Sequence, residues 1–135
     1  MIVIACVDNK MGMLFNHCRQ SQDRVLRSHI LEVTKETRLW MNGYSAKQFK
    51  EGLPSHVTVA EDFLSQAAPG EFCFAENTEL LPWERQTEGI ILYRWNRDYP
   101  ADTVFPLDLS QFTLQSTQEF PGSSHKTITE EVYTR

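Results

Sequence analysis

Residues 2–7, Ile-Val-Ile-Ala-Cys-Val, form an unbroken apolar run. A run of this length without polar residues is typical of a strand that is buried on both faces of a parallel sheet. Residues 89–95, Gly-Ile-Ile-Leu-Tyr-Arg-Trp, show a similar pattern and predict a second central strand. Between these two runs, strand patterns alternate with helix patterns, which favours an α/β fold with helices on both faces of the sheet.

Shorter segments complete the predicted architecture. Ser21 is a good N-cap for a first helix, in which Val25, Leu26, Ile30 and Val33 recur at helical spacing. Further strands are predicted at 38–41, 57–60 and 71–75, short helices at 45–50, 61–68 and 78–84, and a C-terminal hairpin of strands 111–120 and 126–133. This order predicts a single domain over residues 1–135, with a mixed, mostly parallel sheet flanked by helices and completed by the antiparallel hairpin.

Composition narrows the functional classes. The chain has 135 residues and a hydrophobic fraction of 41%, which fit one globular domain with its own core. A net charge of −5 with scattered basic residues gives no support to a nucleic-acid surface. No apolar run approaches the roughly 20 residues that a membrane-spanning helix needs. We therefore expect neither nucleic acid nor a membrane as a partner.

The cysteines and histidines predict neither a metal site nor a disulfide framework. The three cysteines include no CxxC pair, and the sequence contains no HxH or HExxH motif. An odd number of cysteines without paired spacing, and no basic segment ahead of the first strand, predict a reduced, cytoplasmic protein.

Two local patterns resemble segments of a known enzyme family. Ala101-Asp102-Thr103-Val104-Phe105-Pro106 follows the strand at 89–95 and precedes the hairpin, and Val7-Asp8 and Met11-Gly12-Met13 follow the first strand. In this order they resemble dihydrofolate reductases, where a strand leads to a Gly-Asp-Thr-x-Phe-Pro segment and a C-terminal hairpin. Here Ala101 replaces the glycine. The resemblance implies a dihydrofolate reductase-like domain that reduces a pterin-like or other flat heterocycle with NADPH.

The resemblance also implies roles for individual residues. Asp23 stands at the start of the first helix, where the family has a carboxylate that binds the pterin ring and assists its protonation. Partial burial would raise the pKa of Asp23 toward such a catalytic role, whereas a purely structural carboxylate would be favoured there by the helix dipole. Tyr93 stands where the family has a threonine that hydrogen-bonds this carboxylate, which makes it a substrate-binding candidate. Ser45 is the candidate for contact with a cofactor phosphate, although it would equally cap a short helix.

Departures from the family pattern fall on the cofactor side. Asn42-Gly43-Tyr44-Ser45 stands where the family has Gly-Arg-x-Thr, so the phosphate-binding arginine is missing. Glu76-Asn77 stands where a Gly-Gly pair meets the cofactor pyrophosphate, and a carboxylate there repels phosphate. NADPH is thus the implied cofactor, and these residues argue against it. The seven residues 50–56 are too few for a further family strand, and the sheet edge left exposed predicts a homodimer.

The polar segment 16–23, called loop 16–23 below, is the predicted location of a site. His17 could act as an acid or base near neutral pH, and Arg19 could bind a phosphate or carboxylate as a fork. Asn16, His17 and Arg19 therefore join Tyr93 as candidates for substrate binding, although a solvated loop would explain each of them alone.

Three functions remain open on the sequence. The first is a divergent dihydrofolate reductase-like enzyme that uses NADPH. The second is a domain that binds a small ligand or a nucleotide in the same pocket without reducing it. The third is a hydrolase that uses His17, Arg19 and Asp23 of loop 16–23.

Overall fold

A computed structural model describes all of residues 1–135. The strands are β1 (Ile2–Val7), β2 (Gly12–Phe15), β3 (Cys18–Arg19), β4 (Leu39–Met41), β5 (Val57–Val59), β6 (Phe72–Phe74), β7 (Gly89–Arg94), β8 (Thr103–Val104), β9 (Thr113–Phe120) and β10 (Ile128–Thr134). The α-helices are α1 (Arg24–Val33), α2 (Gly43–Ala46) and α3 (Phe63–Gln66), and 3-10 helices span Leu81–Gln86 and Leu109–Gln111. None of the helices combines the length and the apolar composition needed to cross a membrane.

Seven strands form the main sheet, in the order β5-β4-β6-β1-β7-β10-β9. β1 lies at its centre and pairs in parallel with β6 and β7, with Val3 opposite both Cys73 and Ile90. β4 pairs in parallel with β5 and β6, while β10 runs antiparallel to both β7 and β9. The predicted mixed, mostly parallel sheet with a C-terminal antiparallel hairpin is confirmed.

The central strands are apolar because both of their faces are buried. Val3 and Ala5 of β1 belong to one core, which also contains Phe63 of α3. Ile4 belongs to a second core on the opposite face, together with Leu26 of α1. Because successive side chains of a strand point to opposite faces, only an unbroken apolar run can supply both cores at once.

The connections that follow β1 and β6 leave the sheet on opposite faces. The chain after β1 leads to α1 on the second core, whereas the chain after β6 leads to Leu80 in the first core. β1 and β6 are neighbours, so the two connections diverge between their carboxyl ends. In open α/β sheets, ligands bind in the crevice at such a point.

A second sheet of three short strands, in the order β3-β2-β8, is not evident from the sequence. β2 and β3 form a hairpin through Asn16 and His17, whose φ angles are 51° and 62°. Two consecutive residues with positive φ make the tight type I′ turn that suits a two-residue hairpin. The usual sequence for this turn is Asn-Gly. Asn-His stands here instead, so the sequence does not indicate the turn. β8 pairs with β2, with Gly12 opposite Val104.

The bounds of the predicted helices are wrong. The helix predicted at 45–50 is α2, Gly43–Ala46, and the helix predicted at 61–68 spans only Phe63–Gln66. α1 begins at Arg24 and is capped by the side chain of Asp23, not by Ser21. The helix predicted at 78–84 is a 3-10 helix that begins later, at Leu81, with Pro82 in its first turn. Proline suits a first turn because its missing N–H would have no partner there.

β5 forms one edge of the sheet, and pairing of two copies at this edge stays a prediction.

Replacing Leu92 with alanine tests the central position of β7. Leu92 is 0% exposed and lies in the first core, so the truncation leaves a cavity. We expect Leu92→Ala to lower the free energy of unfolding by about 2–5 kcal/mol in urea denaturation followed by circular dichroism. Leu114→Ala is the matched control, since Leu114 on β9 is 49% exposed and its truncation should change stability by about 0.5 kcal/mol or less. Equal losses for both variants would contradict this description of the core.

Candidate functional site

A cleft of about 730 Å³ lies between the chain that follows β1 and the chain that follows β6, whose connections diverge. It is lined by Met13, Leu14, His17, residues 76–82, Thr103, Val104 and Pro106. Leu81 and Val104, from two different segments of this lining, are 57% and 56% exposed. Large apolar side chains that are half exposed beside a concave surface are typical of a ligand-binding site.

The cleft contains carboxylates and no lysine or arginine. Its titratable side chains are those of Glu76, Glu79 and His17. Glu79 is exposed, whereas Glu76 is buried and paired with Arg19. Apolar walls beside a negative group favour a neutral or cationic ligand over a phosphorylated one.

Arg19 and Glu76 form a partly buried ion pair at the side of the cleft. Arg19 Nε and Nη2 each lie 3.0 Å from a different carboxylate oxygen of Glu76, which is the two-pronged geometry of a strong pair. Ser45 Oγ and Gln48 Nε2 also donate to Glu76, at 2.8 and 3.0 Å. The Arg19 guanidinium lies over the ring of Tyr44, 4.2 Å from its centroid. The guanidinium predicted to bind a phosphate or carboxylate is therefore largely engaged by groups of the protein itself.

Residues 42–45, the segment expected to hold a cofactor phosphate, also direct their hydrogen-bonding groups to partners within the protein. The side chain of Asn42 accepts a hydrogen bond from the Ser45 N–H at 3.0 Å, and Glu61 accepts one from the Gly43 N–H at 2.8 Å. Ser45 itself is 1% exposed, and its hydroxyl donates to Glu76. These residues do not fit the anionic phosphates of NADPH, because two carboxylates stand where cationic groups or free N–H donors would be required.

Asp23 is a structural anchor. Its Oδ1 atom accepts hydrogen bonds from the N–H groups of Val25 and Leu26 in α1 and of Ser123 in the hairpin turn. Its Oδ2 atom accepts one from the Ser124 N–H at 2.8 Å and lies 3.0 Å from Nδ1 of His125. The Asp23 side chain is 0% exposed, so it does not reach a ligand in the cleft.

The expected rise in the pKa of Asp23 does not occur. Burial alone would raise this pKa, but the hydrogen bonds from the Ser123 and Ser124 backbone and from His125 outweigh burial and hold it well below its usual range. A carboxyl group that stays ionised at neutral pH, with its oxygens engaged by the chain, is unsuited to donating a proton.

Tyr93 lies near a different carboxylate from the expected one. It is fully buried in the second core, and its hydroxyl donates to Oε2 of Glu130 at 2.8 Å. The same oxygen lies 2.7 Å from Nε2 of His29. Burial, and then the neighbouring Glu130 carboxylate, raise the pKa of Tyr93. This group ties α1 to β7 and β10, and it does not contact Asp23 or the cleft.

The residues of loop 16–23 separate into different environments. His17 is exposed and lines the cleft. The Asn16 N–H donates to Asp102 at 3.0 Å, which supports the turn between β2 and β3. Arg19 lies in a narrow crevice beside the cleft. Asp23 lies against the hairpin turn at 123–125.

Two important groups could not be assigned from the sequence. Glu76 is predicted to repel phosphate, and its role as the partner of Arg19 depends on a contact 57 positions away. His125 has no predicted role, yet its ring contacts Asp23, Ser21 and Tyr99. No local pattern indicates either contact, because both depend on the folded arrangement of distant segments. No group of three or more histidine, cysteine, aspartate or glutamate side chains is arranged to hold a metal ion.

Comparison with known proteins identifies the fold. No protein-family model matches the sequence, and no curated protein matches it. A solved structure, dihydrofolate reductase from Enterococcus faecalis complexed with NADP(H) and RAB-propyl, is similar, with a TM-score of 0.65 over 99% of this chain and 95% of that chain. The chain has a dihydrofolate reductase-like fold. The sequence identity of 12% extends the similarity to the fold alone.

Acid stability tests the anchoring role of Asp23. Because the pKa of Asp23 is lower in the folded chain than in the unfolded chain, its contribution is complete at neutral pH and is lost as the pH falls below about 5. We expect Asp23→Asn to lower the free energy of unfolding at pH 7 by about 1–3 kcal/mol, because the amide presents a donor to groups that themselves donate. The variant should also lose part of the decline in stability below pH 5.

Asp62→Asn is the matched control for this experiment. Asp62 stands at the N-terminus of α3, but its side chain makes no capping hydrogen bond. Its replacement should change stability by about 0.5 kcal/mol or less and leave the acid limb unaltered. Equal effects of the two substitutions would argue against the anchor.

Proposed function

We propose that this protein binds a small, flat, uncharged or cationic heterocycle in the cleft between β2, residues 76–82 and the 103–106 segment. The observation that supports this proposal is the position of the cleft at the diverging connections of β1 and β6. A volume of about 730 Å³ is within the range typical of small-molecule sites. The fold provides the cleft, while the side chains that line it determine the kind of ligand.

The lining favours a ligand with an apolar ring system. Leu81 and Val104 offer apolar surface that water now covers, so burying them against a ring would stabilise a complex. Asn77 and Thr78 add polar groups to the same lining, although both already hydrogen-bond to Asn42. Glu79 supplies an exposed negative charge that would attract a cationic edge. A nucleoside or free base fits this lining better than a nucleotide does, because no cationic side chain in it would balance a phosphate.

Reduction of a heterocycle with NADPH is the second candidate function. The similarity to a dihydrofolate reductase complexed with NADP(H) favours it. The engaged Arg19, the capped α2 and the carboxylates of Glu61 and Glu76 argue against it, since each occupies a place where the cofactor would need a free donor or cation.

Binding of uncharged heterocycles tests the first candidate. We expect pterin or adenine to shift the backbone amide resonances of 13–17, 77–81 and 103–105 in NMR titrations. Leu81→Ala should weaken this binding about tenfold, because losing about 1.4 kcal/mol of apolar contact corresponds to a factor of ten. Leu53→Ala is the control, since Leu53 is 38% exposed and does not line the cleft. The proposal fails if neither compound shifts the cleft resonances at millimolar concentration.

An assay with NADPH separates the two candidates. If the chain only binds a ligand, dihydrofolate should cause no fall in NADPH absorbance, and calorimetry should detect no NADPH binding. Turnover of dihydrofolate would establish the reductase instead. Abolition of that turnover by Asp23→Asn, with circular dichroism unchanged, would restore a catalytic role to Asp23.

A further inference from the structure

Outside the cleft, three side chains are joined by contacts that neither candidate function uses. Ser21 Oγ lies 3.0 Å from Nε2 of His125, and Nδ1 of the same ring lies 3.0 Å from Oδ2 of Asp23. Ser21 and Asp23 come from loop 16–23, while His125 follows the turn of the C-terminal hairpin 102 positions after Asp23. A hydroxyl, an imidazole and a carboxylate in this sequence of contacts constitute the arrangement that activates serine nucleophiles.

The carboxylate fixes the orientation of the imidazole ring. An ionised carboxylate can only accept hydrogen bonds, so His125 must donate its Nδ1–H to Asp23. The neutral ring then has its lone pair on Nε2, which is directed at the hydroxyl of Ser21. This is the tautomer in which an imidazole can accept the proton of a serine hydroxyl.

Packing holds the imidazole in place. Trp95 stacks on the His125 ring, with centroids 4.4 Å apart and an angle of 26° between the planes. The side chains of Asp23 and His125 are 0% and 2% exposed, whereas Ser21 is only half-buried. The base is therefore sheltered from water, and Ser21 is the member of the group with exposed surface.

Tyr99 makes a competing contact with the same nitrogen. Its hydroxyl also lies 3.0 Å from Nε2 of His125. Since the neutral ring offers only one lone pair there, the Tyr99 and Ser21 hydroxyls share it. Removing the Tyr99 hydroxyl would leave Ser21 as the remaining donor.

Ser21 opens on a narrow crevice that contains groups without partners. Gln20 and Arg19 lie in the lining of this crevice with Ser21. Gln20 Oε1 is buried and has no hydrogen-bond partner, while its Nε2 is committed to Asp8 and to the Pro100 carbonyl. The Nη1 atom of Arg19 donates no hydrogen bond within the chain, although Nε and Nη2 do. The charge of Arg19 is paired with Glu76, but an N–H group that lines the same crevice as a nucleophile can still donate to the oxyanion that forms during acyl transfer.

We propose that Ser21, His125 and Asp23 form a Ser-His-Asp triad that hydrolyses small acyl esters, with Ser21 as nucleophile, His125 as general base and Asp23 as the residue that positions His125. The crevice has a volume of only about 10 Å³, so it has room for about one water molecule. The ester must therefore approach Ser21 from the solvent side with a short acyl group, such as acetyl.

The reaction proceeds in two balanced steps. Ser21 Oγ attacks the ester carbonyl carbon while its proton passes to Nε2 of His125, and the resulting oxyanion is stabilised by the Nη1 group of Arg19. The bond to the alcohol oxygen breaks, and the alcohol leaves with the proton from His125. Water then attacks the acyl-serine with His125 again as base, which releases the carboxylic acid and restores Ser21. This activity is independent of ligand binding in the cleft.

Hydrolysis of 4-nitrophenyl acetate and labelling with methanesulfonyl fluoride, a reagent as small as an acetyl group, test the triad. We expect wild-type protein to release 4-nitrophenolate and to take up one methanesulfonyl group on the peptide that contains Ser21. Ser21→Ala retains all four histidines and so measures any non-specific imidazole catalysis. Ser116→Ala, on exposed β9, should match the wild type.

Variants of the other residues separate catalysis from structural support. His125→Gln should slow labelling by on the order of a hundredfold or more, since a positioned base contributes at least that much. Tyr99→Phe should be labelled at least as fast as the wild type, because Ser21 no longer shares Nε2. Asp23→Asn should lower kcat without changing KM, and it should remove the downfield Nδ1–H proton resonance of His125.

The outcomes of this experiment are decisive. Equal hydrolysis by the wild type and Ser21→Ala, or absence of the label from Ser21 in both wild type and Tyr99→Phe, would overturn the triad. Circular dichroism of each variant shows whether the fold is retained. Because the cleft residues are untouched, loss of hydrolysis leaves the binding of pterin or adenine unaffected, so the two proposals fail separately.

Discussion

Asp23 accepts hydrogen bonds from the first turn of α1, from the backbone of the hairpin turn and from the ring of His125. Removing a carboxylate from water is unfavourable unless donors replace the lost hydration, and here the chain supplies donors to both oxygens. Two segments that are distant in sequence, the start of α1 and the hairpin turn at 123–125, must therefore converge on one side chain. The position of α1 on the second core, and the place where loop 16–23 ends, both depend on this convergence.

Internal groups engage the polar side chains that lie beside the cleft. Arg19 and Glu76 neutralise each other beside the cleft, and Ser45 and Gln48 complete the hydrogen bonds of Glu76. A partly buried pair of this kind contributes little net stability, since desolvation offsets much of its attraction. Its effect is to remove from the cleft the positive charge that a phosphate would need. The cleft that remains is apolar and acidic.

The sequence predicts the main sheet well, because its signals are local and strong. The apolar runs of β1 and β7 reveal burial on both faces, and the polar turn before β10 reveals the hairpin. The sequence does not predict the sheet of β3, β2 and β8. β3 has only two residues, and the turn before it has histidine where glycine is usual. Loop 16–23 could be located as a cluster of polar residues, but the partners of Arg19 and Asp23 could not. Those partners, Glu76 and His125, are defined only by folding.

The distance between Asp23 and its partners along the chain has a consequence for synthesis. Ser123, Ser124 and His125 lie 100 to 102 positions after Asp23. During translation, the carboxylate at the start of α1 has no access to these donors until the hairpin turn has left the ribosome. Closing a loop of this length is slow compared with forming local structure. A nascent protein truncated before the hairpin turn therefore lacks the contacts that fix its first helix.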